Sequence, residues 1–194
     1  HDYNNLLTII IGNVSLIRSI VGSIDRISPL LNEVLEASMV AKSLTRKLIT
    51  FSRGGAPRTA AADIVPVVKN TTEFSLSGSN IVAHFQFEEN LNPVDIDKAQ
   101  IGQAIHNIVM NAREAMPAGG VLTVTANKRL VEEVSCGMKP GAYVCIGIAD
   151  GGCGIAAEHL PKVFDPYFST KERGSHKGMG LGLSICQSII QKHN

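Results

Sequence analysis

Along the opening stretch of the chain, apolar residues recur at alternating steps of three and four. Leu7, Ile10, Val14, Ile17, Val21 and Ile24 form one such series, the seam of a coiled coil or helix bundle. It predicts a helix from residue 1 to about 24. Ser28-Pro29 suits the start of a second helix, with serine as cap and proline in the first turn. Val34, Ala37, Ala41, Leu44, Leu48 and Phe51 repeat the same spacing. Two helices joined by a short turn cannot hide this stripe by themselves. Pairing with a second copy would cover it in a four-helix bundle; packing on the chain's own C-terminal part is the other solution. Arg53-Gly54-Gly55-Ala56-Pro57-Arg58 breaks the pattern and marks a linker over 54–62.

The pattern then changes character. Asp63 to about Leu76 suits a helix, with Asp63 as cap and Pro66 near the first turn. Residues 81–87 alternate apolar and polar, as a strand does. A long helix is expected over 97–116, ended by Pro117 and Gly119-Gly120. Strands are expected over 121–130 and 141–149, and the apolar run Tyr143 to Ala149 reads as buried. A last helix begins near Gly180 and puts Leu183, Ile185, Cys186, Ile189 and Ile190 on its buried side. Helices mixed with antiparallel strands predict an α+β sandwich, helices on one face of the sheet. On the 97–116 helix, Ile101, Ala104, Ile105, Ile108, Ala112 and Ala115 make the expected core stripe. Gln100, Gln103, Asn107, Asn111 and Glu114 run beside it.

Composition narrows the classes. A chain of 194 residues, 44% hydrophobic, holds one large or two small domains with a proper core. A formal charge of +1 gives no case for nucleic acid, and no polybasic block points to a membrane surface. The four cysteines lack the paired spacing of a zinc site and are expected to be reduced and buried, as suits the cytoplasm. The longest apolar stretch, Leu6 to Ile17, is interrupted by polar residues and too short to span a bilayer. With histidine first and a helical pattern at its end, the sequence reads as a fragment of a protein whose other parts could include a membrane anchor.

Several stretches carry candidate chemistry. Asp150-Gly151-Gly152-Cys153-Gly154-Ile155 sets a carboxylate at a strand end, followed by glycines. The carboxylate can accept from an amine such as adenine's, and the glycines let a flat ligand approach; an ordinary turn has the same pattern. Asn107 and Asn111 stand one helical turn apart. Their amides can offer oxygen to magnesium or bond to neighbouring backbone. Arg113 suits an exposed salt bridge better than a phosphate. Residues 165–178 are glycine-rich and charged, as in a loop covering a ligand. Lys171, Arg173 and Lys177 there suit either phosphate contact or solvent, while Phe164 and Phe168 suit packing. Gly178, Gly180 and Gly182 lead into the last helix, whose amides can hold phosphate oxygens. At the other end, His1 and Asn5 share a helical face. Asp2 can take the ring's Nδ1 proton and make Nε2 the better nucleophile.

Together these stretches resemble the sensor histidine kinases of two-component systems. His1-Asp2-Tyr3-Asn4-Asn5 is similar to the phospho-acceptor box and Val163 to Lys171 to the phenylalanine box. His106 to Met116, Asp150 to Ile155 and Gly178 to Ile185 are similar to three further motifs, all five in the family's order. The resemblance covers nearly the whole chain. It implies a dimeric four-helix bundle from residues 1–53, which form the phosphotransfer hairpin. It also implies an ATP-binding catalytic domain over 63–194 of the GHKL or Bergerat type shared with gyrase, Hsp90 and MutL. It implies ATP and Mg2+ as cofactors, Asn111 as metal ligand with Asn107 beside it, and Asp150, Gly152 and Gly154 at adenine. Lys171, Gly178, Gly180, Leu181 and Gly182 would lie at the phosphates. His1 would be the phospho-acceptor, Asp2 its acid–base neighbour and Asn5 the residue orienting water in any phosphatase step. The expected partners are a second copy and a response regulator receiver domain. The competing readings are a GHKL-type ATPase and a degenerate nucleotide-binding scaffold. The family's closing strands after the last helix are absent from this sequence.

Overall fold

The computed structural model describes residues 2–21, 27, 29–35, 38, 41, 56–134, 138–170 and 180–193. Two compact units divide the chain: His1–Gly54 with Ser169–Met179, and Gly55–Phe168 with Gly180–Asn194.

In the first unit, helix α1 spans Asp2–Val21 and residues 29–35 are helical. Arg18 Nη1 donates to Asn32 Oδ1 at 3.2 Å, tying the two stretches together. Leu7 and Val14 are half-buried, whereas Ile9, Ile10, Leu16, Ile17, Leu30 and Val34 are exposed.

The second unit is a two-layer sandwich. Its elements run β1 (Ala60–Ala62), α2 (Ile64–Leu76), β2 (Ile81–Phe87), β3 (Val94–Ile96), α3 (Lys98–Ala115), β4 (Gly120–Val131), β5 (Gly141–Asp150), a 3-10 turn (Leu160–Lys162) and α4 (Gly182–His193). The main sheet has the order β2-β4-β5, while β1 and β3 form a separate pair. Period-two alternation gives the sheet its two faces. Leu122, Val124 and Ala126 are fully buried under the helices, with Thr123 and Thr125 on the other side. Register sets Phe85 and Ile148 on either side of Val124, so one row of the inner face crosses all three strands.

Local chemistry sets the helix ends. Asp63 Oδ1 accepts from Val65 N at 2.9 Å and starts α2. Asp97 Oδ1 accepts from Ala99 N at 3.0 Å and Gln100 N at 3.2 Å, satisfying two otherwise orphaned donors of α3. After α3 the chain turns through Gly119, at φ +91. A side chain there would collide with the backbone of Asn80, the residue whose carbonyl receives Gly120 N at 3.3 Å. Glycine is required at this point for β4 to reach β2.

Several expectations are corrected. The sheet is mixed, because β2 and β4 are parallel and only β4 and β5 antiparallel. Ala60–Ala62, read as linker, pairs with Val94–Ile96. Strand β5 is half-buried rather than buried, since it lies at the sheet edge with β4 on one side. On α3, Val109 is buried where Ile108 was expected, and Ile108 and Ala115 are half-buried. On α4, Ile190 is exposed and Leu183 half-buried, while Ser184, Ile185, Cys186 and Ile189 are buried. Cys145 and Cys153 are exposed and Cys186 is buried; Cys136 lies outside the described residues.

Candidate functional site

Helix α3 carries Asn107, Asn111 and Ala115 at steps of four, a ridge about 12 Å long. The start of α4 lies over its first two residues. Asn107 Nδ2 donates to Gly182 O at 3.4 Å. A Cβ on Gly182 would stand 3.8 Å from Asn107 Cβ and 4.0 Å from Asn111 Nδ2. One turn further along α4, Cys186 Sγ donates to Ala104 O at 3.3 Å. Burial pushes this thiol up to about 11, against a smaller opposing hydrogen bond from Asn107. The thiol therefore stays neutral and acts as an anchor between the helices.

The glycine loop after β5 reaches the other end of the ridge. Asp150 pairs in register with Leu122, so it faces the helix side of the sheet. Its Oδ1 accepts from Gly152 N at 2.9 Å, and a carboxylate has further acceptor capacity for an incoming donor. Cys153 N donates to Ala115 O at 3.3 Å. A Cβ on Gly152 would lie 2.6 Å from Ala115 Cβ. Only glycine lets this loop lie on the helix. Gly154 has φ +70, while Gly151 faces open space, so a side chain at 151 is sterically harmless.

Entry into α4 is equally constrained. Gly180 has φ +66, and a side chain there would collide with the Tyr167 and Phe168 backbone. Tyr167 N donates to Gly180 O at 2.9 Å, and the Phe168 and His159 rings lie 5.6 Å apart. Leu181 is buried, and its carbonyl accepts from Ile185 N and from Ser184 Oγ, both at 3.0 Å. Its side chain belongs to the core, which leaves only backbone for a ligand.

The structure thus brings Asn107, Asn111 and Gly182 to one end of the α3 ridge, and Gly152, with Asp150 bonded to it, to the other; Gly180 lies against the Tyr167–Phe168 backbone and Gly154 in open space. His1, Lys171 and Gly178 lie outside the described residues. Asp2 and Asn5 belong to α1, with their side chains outside the description. Arg113 Nη1 donates to Ser75 O at 3.2 Å, joining α3 to α2, and among the described residues it has no acidic partner for the expected salt bridge. Phe164, expected to pack, is exposed. Sequence reasoning missed Ala115, the small residue on which the loop rests. Its position four beyond Asn111 was the available signal.

Residues 96–194 match the family described as histidine kinase-, DNA gyrase B-, and HSP90-like ATPase. The chain belongs to that family. It is similar to Sensor kinase CckA of Brucella abortus (strain 2308), with 35% identity over 99% of this chain. It spans only 21% of that relative's length. The full-length structure of ShkA in complex with AMPPNP is similar with a TM-score of 0.70 and 21% identity, over 99% of this chain and 39% of that one. Histidine kinase ThkA in complex with the response regulator protein TrrA gives 0.58 and 21%, over 98% and 52%. Both likenesses establish the fold: the second unit is the ATPase-type α/β sandwich.

The donor set fits a nucleotide with a divalent cation. Two uncharged amides face the N-terminal turn of α4, where backbone amides favour anions, and a strand-end carboxylate lies beyond them. Among the described residues, no cluster of three or more His, Cys, Asp or Glu could hold a metal by itself. No described helix is long and apolar enough to cross a membrane.

Proposed function

We propose that this chain is the catalytic core of a two-component sensor histidine kinase. Residues 63–194 bind ATP, the γ-phosphoryl group passes to His1, and an aspartate on a response regulator receives it next. The observation that carries this reading is the α3 ridge, with Asn107 and Asn111 under the start of α4 and the Asp150 loop resting on Ala115. The likeness to a sensor kinase across 99% of the chain supports the acceptor step.

In this reading Asp150 accepts from the adenine amine, and Gly152 and Gly154 keep the loop thin enough for the ring. Asn111, aided by Asn107, holds magnesium, which supplies charge neutralisation at the phosphates. The amides of Gly178, Gly180, Leu181 and Gly182 and the Lys171 ammonium hold phosphate oxygens. Phosphoryl transfer depends mainly on positioning and charge. The bond from γ-phosphorus to its bridging oxygen breaks, a bond to His1 Nε2 forms, and ADP leaves. Asp2 takes the Nδ1 proton, and Asn5 orients water when the phosphorylated regulator is hydrolysed. Residues 1–53 form the dimerising hairpin, joined through 54–62, and the receiver domain of the regulator docks beside His1.

Incubation with labelled ATP and magnesium should give an acid-labile, base-stable phosphate on the chain. His1→Gln should abolish it without changing ATP affinity. Asp150→Asn and Asn111→Asp should each weaken ATP binding, the first at the adenine amine and the second by adding charge at the metal. Uptake of acid-labile phosphate by His1→Gln would overturn the acceptor assignment. Unchanged binding in both other variants would overturn the nucleotide site.

A further inference from the structure

Helices α3 and α4 are clasped at both ends. At the site end, Asn107 Nδ2 donates to Gly182 O at 3.4 Å. At the far end, Asp97 N donates to His193 Nε2 at 3.0 Å. Because Nε2 accepts, the ring proton sits on Nδ1, which donates to Ile189 O at 2.8 Å. Between the clasps runs the buried seam of Ile101, Ala104, Ile105, Ile185, Cys186 and Ile189.

Asp97 also divides its carboxylate between two elements. Oδ1 caps α3 through Ala99 and Gln100. Oδ2 accepts from Arg58 N at 3.1 Å, in the segment just before β1. That segment is tied to the same point a second way, since Ala60 pairs with Ile96, the residue before Asp97. The donors from Gln100, Arg58 and Ala99 hold the carboxyl below its ordinary value, so it is a charged acceptor at neutral pH.

We propose that Asp97 is a positioning residue that ties residues 56–62 to the α3–α4 pair forming the floor of the nucleotide site. The proposal rests on the nucleotide reading given above. Its physical basis is the rigidity of the pair. A helix is stiff over the roughly 21 Å from Asp97 to Asn111, and packed helices shift against each other in discrete steps rather than deforming. A ligand that seats the first turn of α4 on Asn107 and Asn111 sets the register of the far clasp. That clasp sets the acceptor for Arg58. By linkage, anchoring residues 56–62 then favours the same register at the site.

Amide hydrogen exchange with and without ATP and magnesium tests this. In the parent chain, saturating ATP should slow exchange in peptides covering 180–186 and also, by about threefold or more, in those covering 56–62. Asp97→Asn keeps one oxygen for the helix cap but turns an amide nitrogen toward Arg58 N, donor facing donor. It should retain ATP-dependent protection at 180–186 and a melting temperature near the parent's, yet lose protection at 56–62. Arg58→Pro removes the donor and leaves the cap untouched, so it should give the same separation and serves if Asp97→Asn folds poorly. Binding of ATP by the parent with no change at 56–62, or protection there undiminished in both variants, overturns the coupling. Absence of any ATP titration in the parent overturns the nucleotide reading itself, and the coupling with it.

Discussion

Gly152 shows how one missing methyl group shapes the site. A Cβ there would lie 2.6 Å from Ala115 Cβ and 2.7 Å from Ala115 O, both on a helix that cannot easily yield. Alanine at 152 must lift the loop, which breaks the Cys153 N to Ala115 O bond and turns Asp150 away from the ridge. The predicted effect of Gly152→Ala is a loss of about 1–3 kcal/mol of stability, the ordinary range for overpacking, together with weaker ATP binding. Gly151→Ala is the control, because open space surrounds that position, and it should bind like the parent. Urea denaturation and an ATP titration on both variants decide it. Equal behaviour of the two would show that the contact with Ala115 does not shape the loop.

Helix α2 carries a flaw that can be tested in the same way. Its inner face buries Ile64, Val68, Thr72, Ser75 and Leu76, and among the described residues Thr72 Oγ1 has no hydrogen-bond partner. Its neighbour Ser75 is satisfied, donating to Thr71 O at 2.7 Å and lying 2.8 Å from His106 Nδ1. An unpaired buried hydroxyl carries a desolvation penalty of about 1–3 kcal/mol. Thr72→Val keeps the shape and removes that penalty, so the urea midpoint should rise; a fall would mean that the hydroxyl finds a partner in solution. Elements of this kind were readable from sequence because local chemistry marks them: Asp63 as a cap, Pro117 and Gly119 as a stop, alternation through 81–87. Strand β1 was not readable. Three alanines carry no strand signal, and only the pairing with Val94–Ile96 makes them one. The parallel pairing of β2 with β4 and the edge position of β5 are likewise decided by partners distant in sequence. The amides of Asn107 and Asn111 were visible as a pair by their spacing, and that spacing reaches Ala115, whereas the depth of Leu181 emerges only once the chain folds onto α3.

At the scale of the whole molecule, the described helical stretches of the first unit carry exposed apolar side chains. On α1, Ile10 and Ile17 are 43% and 45% exposed, and Ile9 and Leu16 are both 58% exposed. Each pair is seven residues apart, so the four side chains form two adjoining columns on one side of the helix. With Leu7 and Val14, the Ile10–Ile17 column makes one a/d seam, enough for a single partner helix. The Ile9–Leu16 column beside it suits a second neighbour, as in a four-helix bundle made from two hairpins. Leu30 and Val34, also exposed, extend the same property to the second helical stretch. We therefore predict that the chain is a homodimer through residues 1–53, and that Ile10→Lys with Ile17→Lys converts it to a monomer. Each isoleucine is worth roughly 1.5–3 kcal/mol when buried, and symmetry doubles the loss. Because these positions and the α3 ridge belong to different compact units, ATP affinity should be unchanged in the double variant. Light scattering on parent and variant, with an ATP titration on each, separates the two effects: a parent already monomeric at micromolar concentration would sink the bundle, and a dimer that survives both lysines would place the interface elsewhere.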